Sequence, residues 1–437
     1  MHRLPAAVVT PASIEDVVKI VQLANRLDAK IAMNGNGHSC FGHSQVDNGI
    51  VVRSAGLKTI QRIEADGVLV DAGTTWSELV TATLSAGLTP PVMAEFQDLS
   101  VGGTLSVGGL GGASHRFGAQ IDHVSKLDAV TGAGELVTCS AEHNGELFHS
   151  LLAGFGQSGL IVRARIQLAT APTHVVMQNL TYRDLGSYVA DALRVARDER
   201  FDHQLGRVVF EGDGQPVFVL EVGKFYAEPA IPDVVGLTTG LRFVRATKPV
   251  IRTYWAYLNQ RSGAARPAKG WFLPHATLYL FLPAPEIERF LTALLAAPSE
   301  YAGVSGPMLF GVYPLNAGHF SRPLFQIPRD SEQFFAVYLF RTARDADGAW
   351  NSTMLATNRS LYERARTAGG KQYPVTAMPF TTEDWKDHFG PETWQFLRRA
   401  KQRFDPRNVL TPGPGIFASS SVDALLPPEG GSRTPVA

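Results

Sequence analysis

Two cysteines, Cys40 and Cys139, are all that 437 residues carry, and no Cys/His cluster has metal-site spacing. A disulfide framework or a structural metal therefore does not organise this chain. Net charge is missing too, because 40 Lys and Arg balance 40 Asp and Glu. Without a basic excess there is no footing for nucleic acid or for an anionic membrane surface. No apolar run approaches the ~20 residues of a membrane span, and Met1-His2-Arg3-Leu4-Pro5 lacks the apolar core of a leader. These absences leave a cytoplasmic enzyme acting on a small molecule as the simplest reading, with prior removal of a leader left open.

What the chain has is glycine, concentrated in two runs. The first, Asn34-Gly35-Asn36-Gly37-His38-Ser39-Cys40-Phe41-Gly42, follows the apolar segment Lys30-Ile31-Ala32-Met33, which reads as a buried strand. Glycines at 35 and 37 let successive amides turn toward one concavity, a nest suited to a pyrophosphate. It is not the Rossmann fingerprint, since no Gly-x-Gly-x-x-Gly opens a helix here. His38 has no core to fill in such a loop. Taken alone it is read as bonding its own backbone, and the alternative is close approach to a cofactor.

The second run extends from Glu95 to Gly112, with six glycines between 102 and 112 interleaved with Ser100, Thr104 and Ser106. Exposed backbone donors at this density form a surface on which an extended anionic cofactor can lie. The interleaved Val101, Leu105, Val107 and Leu110 argue against a flexible linker.

In order, Ser13 to Asp16 is a capping signal, and Ile14, Val17, Val21, Ala24 and Leu27 or Asp28 recur at helical spacing. Strands are expected at 50–52, 67–73, 124–131, 135–140 and 160–166, and a helix opened by the capping box Thr75 to Glu78. From about 172 to 375 glycine thins out and strands such as 215–222 and 335–340 alternate with helices such as 284–291, as in an antiparallel-sheet domain. Pro391 opens a basic helix that Asp405-Pro406 ends, and the tail from 418 has the composition of a disordered segment.

The order Gly-x-Gly-His-Ser, then Ser-Val-Gly-Gly-Thr-Leu-Ser from 100, then His115-Arg116-Phe117-Gly118, then Gly154-Phe155-Gly156-Gln157-Ser158-Gly159 resembles the vanillyl-alcohol-oxidase (PCMH-type) FAD-binding family, and within it the cytokinin dehydrogenases. The likeness continues in Pro274 to Phe281, Lys371 to Pro374 and Phe404 to Gly413. It implies an α+β fold: a two-lobed PCMH-type FAD-binding domain over 1–171, a mixed antiparallel-sheet substrate domain with helices on one face over 172–375, and a return to the FAD domain over 376–417.

The resemblance also implies roles. FAD lies against Gly35, Asn36, Gly37, Ser39 and His43, against Ser100, Gly102, Gly103, Thr104, Ser106 and Leu110, and against Ile161, Tyr373 and Thr411. His38 matches the histidine that bonds the 8α-methyl carbon of the flavin, and Phe96 stands where some relatives carry a second link through cysteine. Glu95 matches the position of the family's aspartate base, lengthened by one methylene, with Asp98 as second choice. A carboxylate of ordinary pKa, ~4.3, needs apolar neighbours to act as a base, and Val92, Met93 and Phe96 are at hand. Thr277 and Tyr279 replace the tryptophan and asparagine of the cytokinin branch, Pro414 replaces a glutamine, and His43 another. Trp255, with Tyr254 and Tyr257, is a candidate for the substrate pocket. The expectation is hydride transfer from a C–N or C–O bond of a small apolar amine or alcohol, with oxygen or another acceptor reoxidising the flavin. The alternatives are a carbohydrate or aromatic-alcohol oxidase of the same fold, and an FAD-retaining binding protein.

Overall fold

The computed structural model describes residues 3–212, 214–260, 273–304, 310–343 and 348–417; the tail from 418 lies outside them. The first helix, Ile14–Leu27, begins where Ser13 Oγ accepts the Asp16 amide and the Asp16 carboxylate accepts the Ser13 amide. It buries Ile14, Val17, Val21 and Ala24 against Ile31, Ile50 and Val52. Leu27 does not continue this face and is exposed, because the chain leaves the helix at Asp28 with a left-handed φ of 51°. The strands Ala7–Val9, Ile50–Arg53 and Ile31–Asn34 form a parallel sheet in that order. Its outer edge takes a distant partner: Ile31 N donates to Val409 O and Thr411 N donates to Ile31 O, both at 2.7 Å.

The second lobe is an antiparallel sheet in the order Ile60–Glu64, Gly67–Asp71, Gly159–Gln167, Val124–Thr131, Leu136–Cys139. A reciprocal cap between Thr75 and Glu78 opens the helix Trp76–Leu84 on this lobe. The second glycine run is not extended throughout, since Val101–Leu105 is a short helix.

The remaining half is a nine-stranded sheet, antiparallel at every pairing, whose centre runs His174–Tyr182, Pro216–Tyr226, His203–Phe210, Phe310–Asn316, Gln333–Leu339, Leu278–Pro283. Helices Leu185–Asp198, Ile287–Leu295 and Gly348–Thr367 cover one face over a core that includes Tyr188, Leu220, Leu291 and Tyr362. The other face carries Tyr279, Tyr313, Tyr338 and Tyr373 into the same core as Val101, Leu105 and Phe155. The two halves therefore share apolar interior at the glycine runs.

The chain ends with Thr382–Phe404, broken at Gly390, whose φ of 73° is left-handed. Pro391 starts the second half, as its fixed φ and missing N–H allow. The first half, capped reciprocally by Thr381 and Asp384, has no counterpart in the sequence reading. Among the described residues no helix is long and apolar enough to cross a membrane.

Candidate functional site

The two glycine runs meet. A Cβ on Gly35 would fall 2.2 Å from Ser100 Oγ, so only glycine lets the loops touch here. Asn36 Nδ2 donates to Asp98 O at 2.6 Å and ties the same two segments. Between them lies a cavity of about 90 Å³. The first run contributes Gly35, Ser39 and His43, the second Ser100, Gly102, Gly103 and Ser106, and Ile161 and Thr411 close the far side.

Thr411 is held in an uncommon conformation, with a φ of 45° that a β-branched residue rarely adopts. Three hydrogen bonds fix it: its amide to Ile31 O, its hydroxyl to Gly156 O at 3.1 Å, and its carbonyl from Gln157 Nε2 at 2.9 Å. Strain that is over-determined in this way marks functional positions.

The sequence reading did not place Ser54, Ala72, Phe155 or Gly156 among the cofactor-binding residues, yet they line the cavity, as does Pro414. For 155 and 156 the signal was present in the Gly-rich stretch 154–159; Ser54 and Ala72 sit at ordinary strand ends and carried none. The buried Ser54 hydroxyl has no hydrogen-bond partner within the protein and faces a cavity whose walls are glycine amides and hydroxyls. Such a lining suits a polar, anionic, extended group.

Other predicted cofactor residues lie behind the wall. Thr104 and Leu110 line neither described cavity: the helical turn 101–105 buries Thr104, and Leu110, beyond that turn, is buried in the core. Thr104 Oγ1 accepts Trp76 Nε1 at 2.8 Å instead. Tyr373 Oη accepts the Gly109 amide at 2.9 Å and so holds the run from outside. His38 is half-buried between Gly37, whose φ is 78°, and exposed Ser39, on the loop whose flanks wall the cavity. Cys40 is hydrogen-bonded to Thr277, and burial pushes its thiol up to about 11, so it is an inert link between the loop and the substrate half. Burial, then the charge of Arg3, lowers His43 to about 4; it meets a ligand as a neutral imidazole.

Glu95 opens elsewhere. With Met93, Ala94, Gln97, Tyr257, Leu258 and Gln260 it lines a second, small cavity of about 10 Å³. Phe96 packs on Phe340 (ring centroids 6.3 Å apart), Phe340 on Tyr338, Tyr338 on Tyr279 and Tyr279 on Tyr373. An aromatic chain thus joins the Glu95 loop to the glycine run. Tyr279 is a buried member of it, its hydroxyl bonded to that of Tyr313, and Thr277 is buried beside Cys40. Trp255 is 54% exposed and lines neither cavity, because Tyr254–Leu258 is a helix whose inward positions are Tyr254, Tyr257 and Leu258.

Residues 5–140 match the family described as FAD binding domain, and residues 173–417 match that described as cytokinin dehydrogenase 1, FAD and cytokinin binding. Over 417 residues, 94% of both chains, the protein is 37% identical to the uncharacterized oxidoreductase ORF5 in fasciation locus of Rhodococcoides fascians. It is 30% identical to cytokinin dehydrogenase 4 of Arabidopsis thaliana, covering 94% of this chain and 88% of that one. Against cytokinin dehydrogenase 4 of Oryza sativa subsp. japonica the identity is 31%, over 97% and 88% of the two. Relatives named as oxidoreductases leave the FAD-retaining binding protein without support.

Proposed function

Because the chain belongs to the FAD-binding cytokinin dehydrogenase family of oxidoreductases, we propose that it oxidises a C–N bond of a small, largely apolar amine, with Glu95 as the base. The observation that carries this reading is the pair of cavities on one glycine run, the larger lined by glycines and hydroxyls that suit an extended anionic cofactor and the smaller presenting one carboxylate beside Met93, Tyr257 and Leu258 and the amides of Gln97 and Gln260.

Glycine amides at 35 and 103 and the hydroxyls of Ser39, Ser54, Ser100 and Thr411 would hold the phosphates and ribityl chain of FAD. His38 supplies the covalent link to its 8α-methyl carbon, which keeps the cofactor in place. When bound, FAD supplies a two-electron acceptor that takes a hydride from the substrate carbon.

Glu95 takes the proton from the substrate nitrogen as the hydride leaves the adjacent carbon, so an amine becomes an imine with two electrons and one proton accounted for. Leu258 and Met93 exclude water from the reacting carbon, and Tyr257 offers an aromatic wall. A carboxylate displaced by ~1 Å can forfeit ~10²-fold in rate, so the extra methylene of Glu95 demands a backbone position to match. The loop bond from Gln97 Nε2 to Ala94 O supplies that constraint. Oxygen or another small oxidant completes the cycle.

The experiment is acid precipitation of the purified protein, for wild type and His38→Ala, followed by anaerobic screening of amines and alcohols for flavin bleaching. Colour that stays with the wild-type chain and leaves the variant, with bleaching by an amine that Glu95→Gln abolishes, is expected. Colour released from the wild type refutes the covalent link; bleaching by alcohols alone refutes the amine assignment.

A further inference from the structure

The cavity of Glu95 has a second end. Tyr257 forms part of its wall, and its hydroxyl points away into the substrate half, 2.7 Å from His203 Nδ1. His203 is fully buried, and its Nε2 lies 3.0 Å from Glu221 Oε1. Glu221 in turn accepts Arg207 Nη1 at 3.0 Å, and these two side chains, 13% and 12% exposed, are the first of the series to reach solvent. The series runs along one face of the sheet, from the cavity to the edge of solvent at Glu221 and Arg207.

Space has been made for it. A Cβ on Gly112, the last glycine of the second run, would fall 2.0 Å from His203 Nδ1. Gly112 O also accepts the Gln204 amide at 2.8 Å, which fixes the strand that carries the ring.

The hydrogen-bond directions follow from donor inventory. Burial raises the Glu221 carboxyl, but its hydrogen bonds to His203 and Arg207 and the charge of Arg207 outweigh it and hold the group at about 2. It is an acceptor only, so His203 Nε2 donates to it. In a neutral imidazole Nδ1 is then the acceptor, and Tyr257 donates its hydroxyl hydrogen inward.

We propose that Tyr257, His203 and Glu221 are a proton relay that empties Glu95 between turnovers. The proposal rests on Glu95 being the base. A proton moves from the Glu95 carboxyl to Tyr257 Oη as Tyr257 gives its own to His203 Nδ1. The imidazolium, paired with Glu221, passes its Nε2 proton to that carboxylate and on to water. One proton enters and one leaves; no electron is transferred, and Glu95 returns to its anionic form. The other titratable or charged groups facing the series are Arg207 on its own strand, Asp202 just before it, Tyr254 on the helix of Tyr257, and His115 from Ser114–Phe117.

The test uses the holoenzyme with an amine that bleaches its flavin and a saturating artificial electron acceptor. In Tyr257→Phe, steady-state turnover falls ~10-fold or more below the rate of the first flavin reduction, and added imidazole buffer restores part of it. A merely structural role lowers both rates together and is not rescued; that result, or no change in either, overturns the relay. Substrate-free protein gives an independent readout, the nitrogen NMR titration of His203 assigned with His203→Gln. Glu95→Gln shifts that titration when Tyr257 is present and not in the Tyr257→Phe background; an absent shift, or one independent of Tyr257, overturns it too. Failure of the underlying reading looks different, because Glu95→Gln then leaves the first flavin reduction unchanged.

Discussion

Replacing Lys401 by methionine unlocks the cofactor cavity from behind. Lys401 is 1% exposed and its ammonium has three acceptors: Asp405 Oδ2 at 2.6 Å, Gln157 O at 3.1 Å and Leu410 O at 3.3 Å. Asp405 is wholly buried and accepts the amides of Val409 and Leu410, each at 2.9 Å. This pair orders the turn that delivers Thr411 to the cavity. Burial presses the Lys401 pKa down while Asp405 opposes it, so the ammonium is retained only through its partner. Methionine keeps the volume and leaves a buried carboxylate uncompensated, a loss of about 3–5 kcal/mol where a domain's whole stability is about 5–15. If the stranded charge is the cause, Lys401→Met with Asp405→Asn, which removes the charge and keeps one acceptor, is more stable than Lys401→Met alone. Urea unfolding of the three chains, with flavin content as purified, reads both consequences. A double variant no better than the single one refutes the argument and assigns the loss to geometry.

Two further outcomes are expected. Burial, then the charge of Lys371, lowers His388 from 6.5 to about 3, so between those values the unfolded chain binds a proton that the folded one refuses. Stability should fall by about 1.4 kcal/mol per pH unit as the pH drops below 6.5, with His388→Phe flattening the slope in denaturant midpoints; an unchanged slope removes His388 as the cause. Gly35→Ala places its Cβ 2.2 Å from Ser100 Oγ but 3.2 Å from Ser100 Cβ, so it should lose flavin and about 1–3 kcal/mol, and Ser100→Ala should restore most of both. Flavin absorbance per chain and thermal melting decide, and a pair no better than Gly35→Ala alone places the damage elsewhere.

Local chemistry was legible in the chain. Ser13 and Thr75 announce their helices because reciprocal caps need only residues three apart, and the hairpin through Gly134 closes within its own turn. The meeting of the two glycine runs was legible through family resemblance. The assignment of Thr104 and Leu110 to the cofactor surface is not reflected in the cavity lining: the helical turn 101–105 buries Thr104, and Leu110, beyond that turn, is buried in the core. Trp255 went the same way, since three aromatics on one turn cannot all face inward. His203 and Ser54 were not readable at all, because each gains its meaning from residues far along the chain.

The second glycine run acts as a spacer between two chemistries. Gly102 and Gly103 wall the larger cavity, and eight residues on from the latter Gly111 lies so close to Met93 that a Cβ would fall 1.8 Å from its carbonyl oxygen. Met93 and Glu95 line the smaller cavity, so Gly111 ties the second run to the Glu95 loop by backbone packed on backbone. Backbone contacts of this kind cannot repack as side chains do, and a site that must place a carboxylate within ~1 Å gains from that rigidity. Glycine at 111 and 112 is then explained without reference to phosphate: one admits the Glu95 loop and the other admits His203. The run's length, which as sequence reads as one cofactor surface, divides into a half that walls the larger cavity and a half that packs against the Glu95 loop and His203.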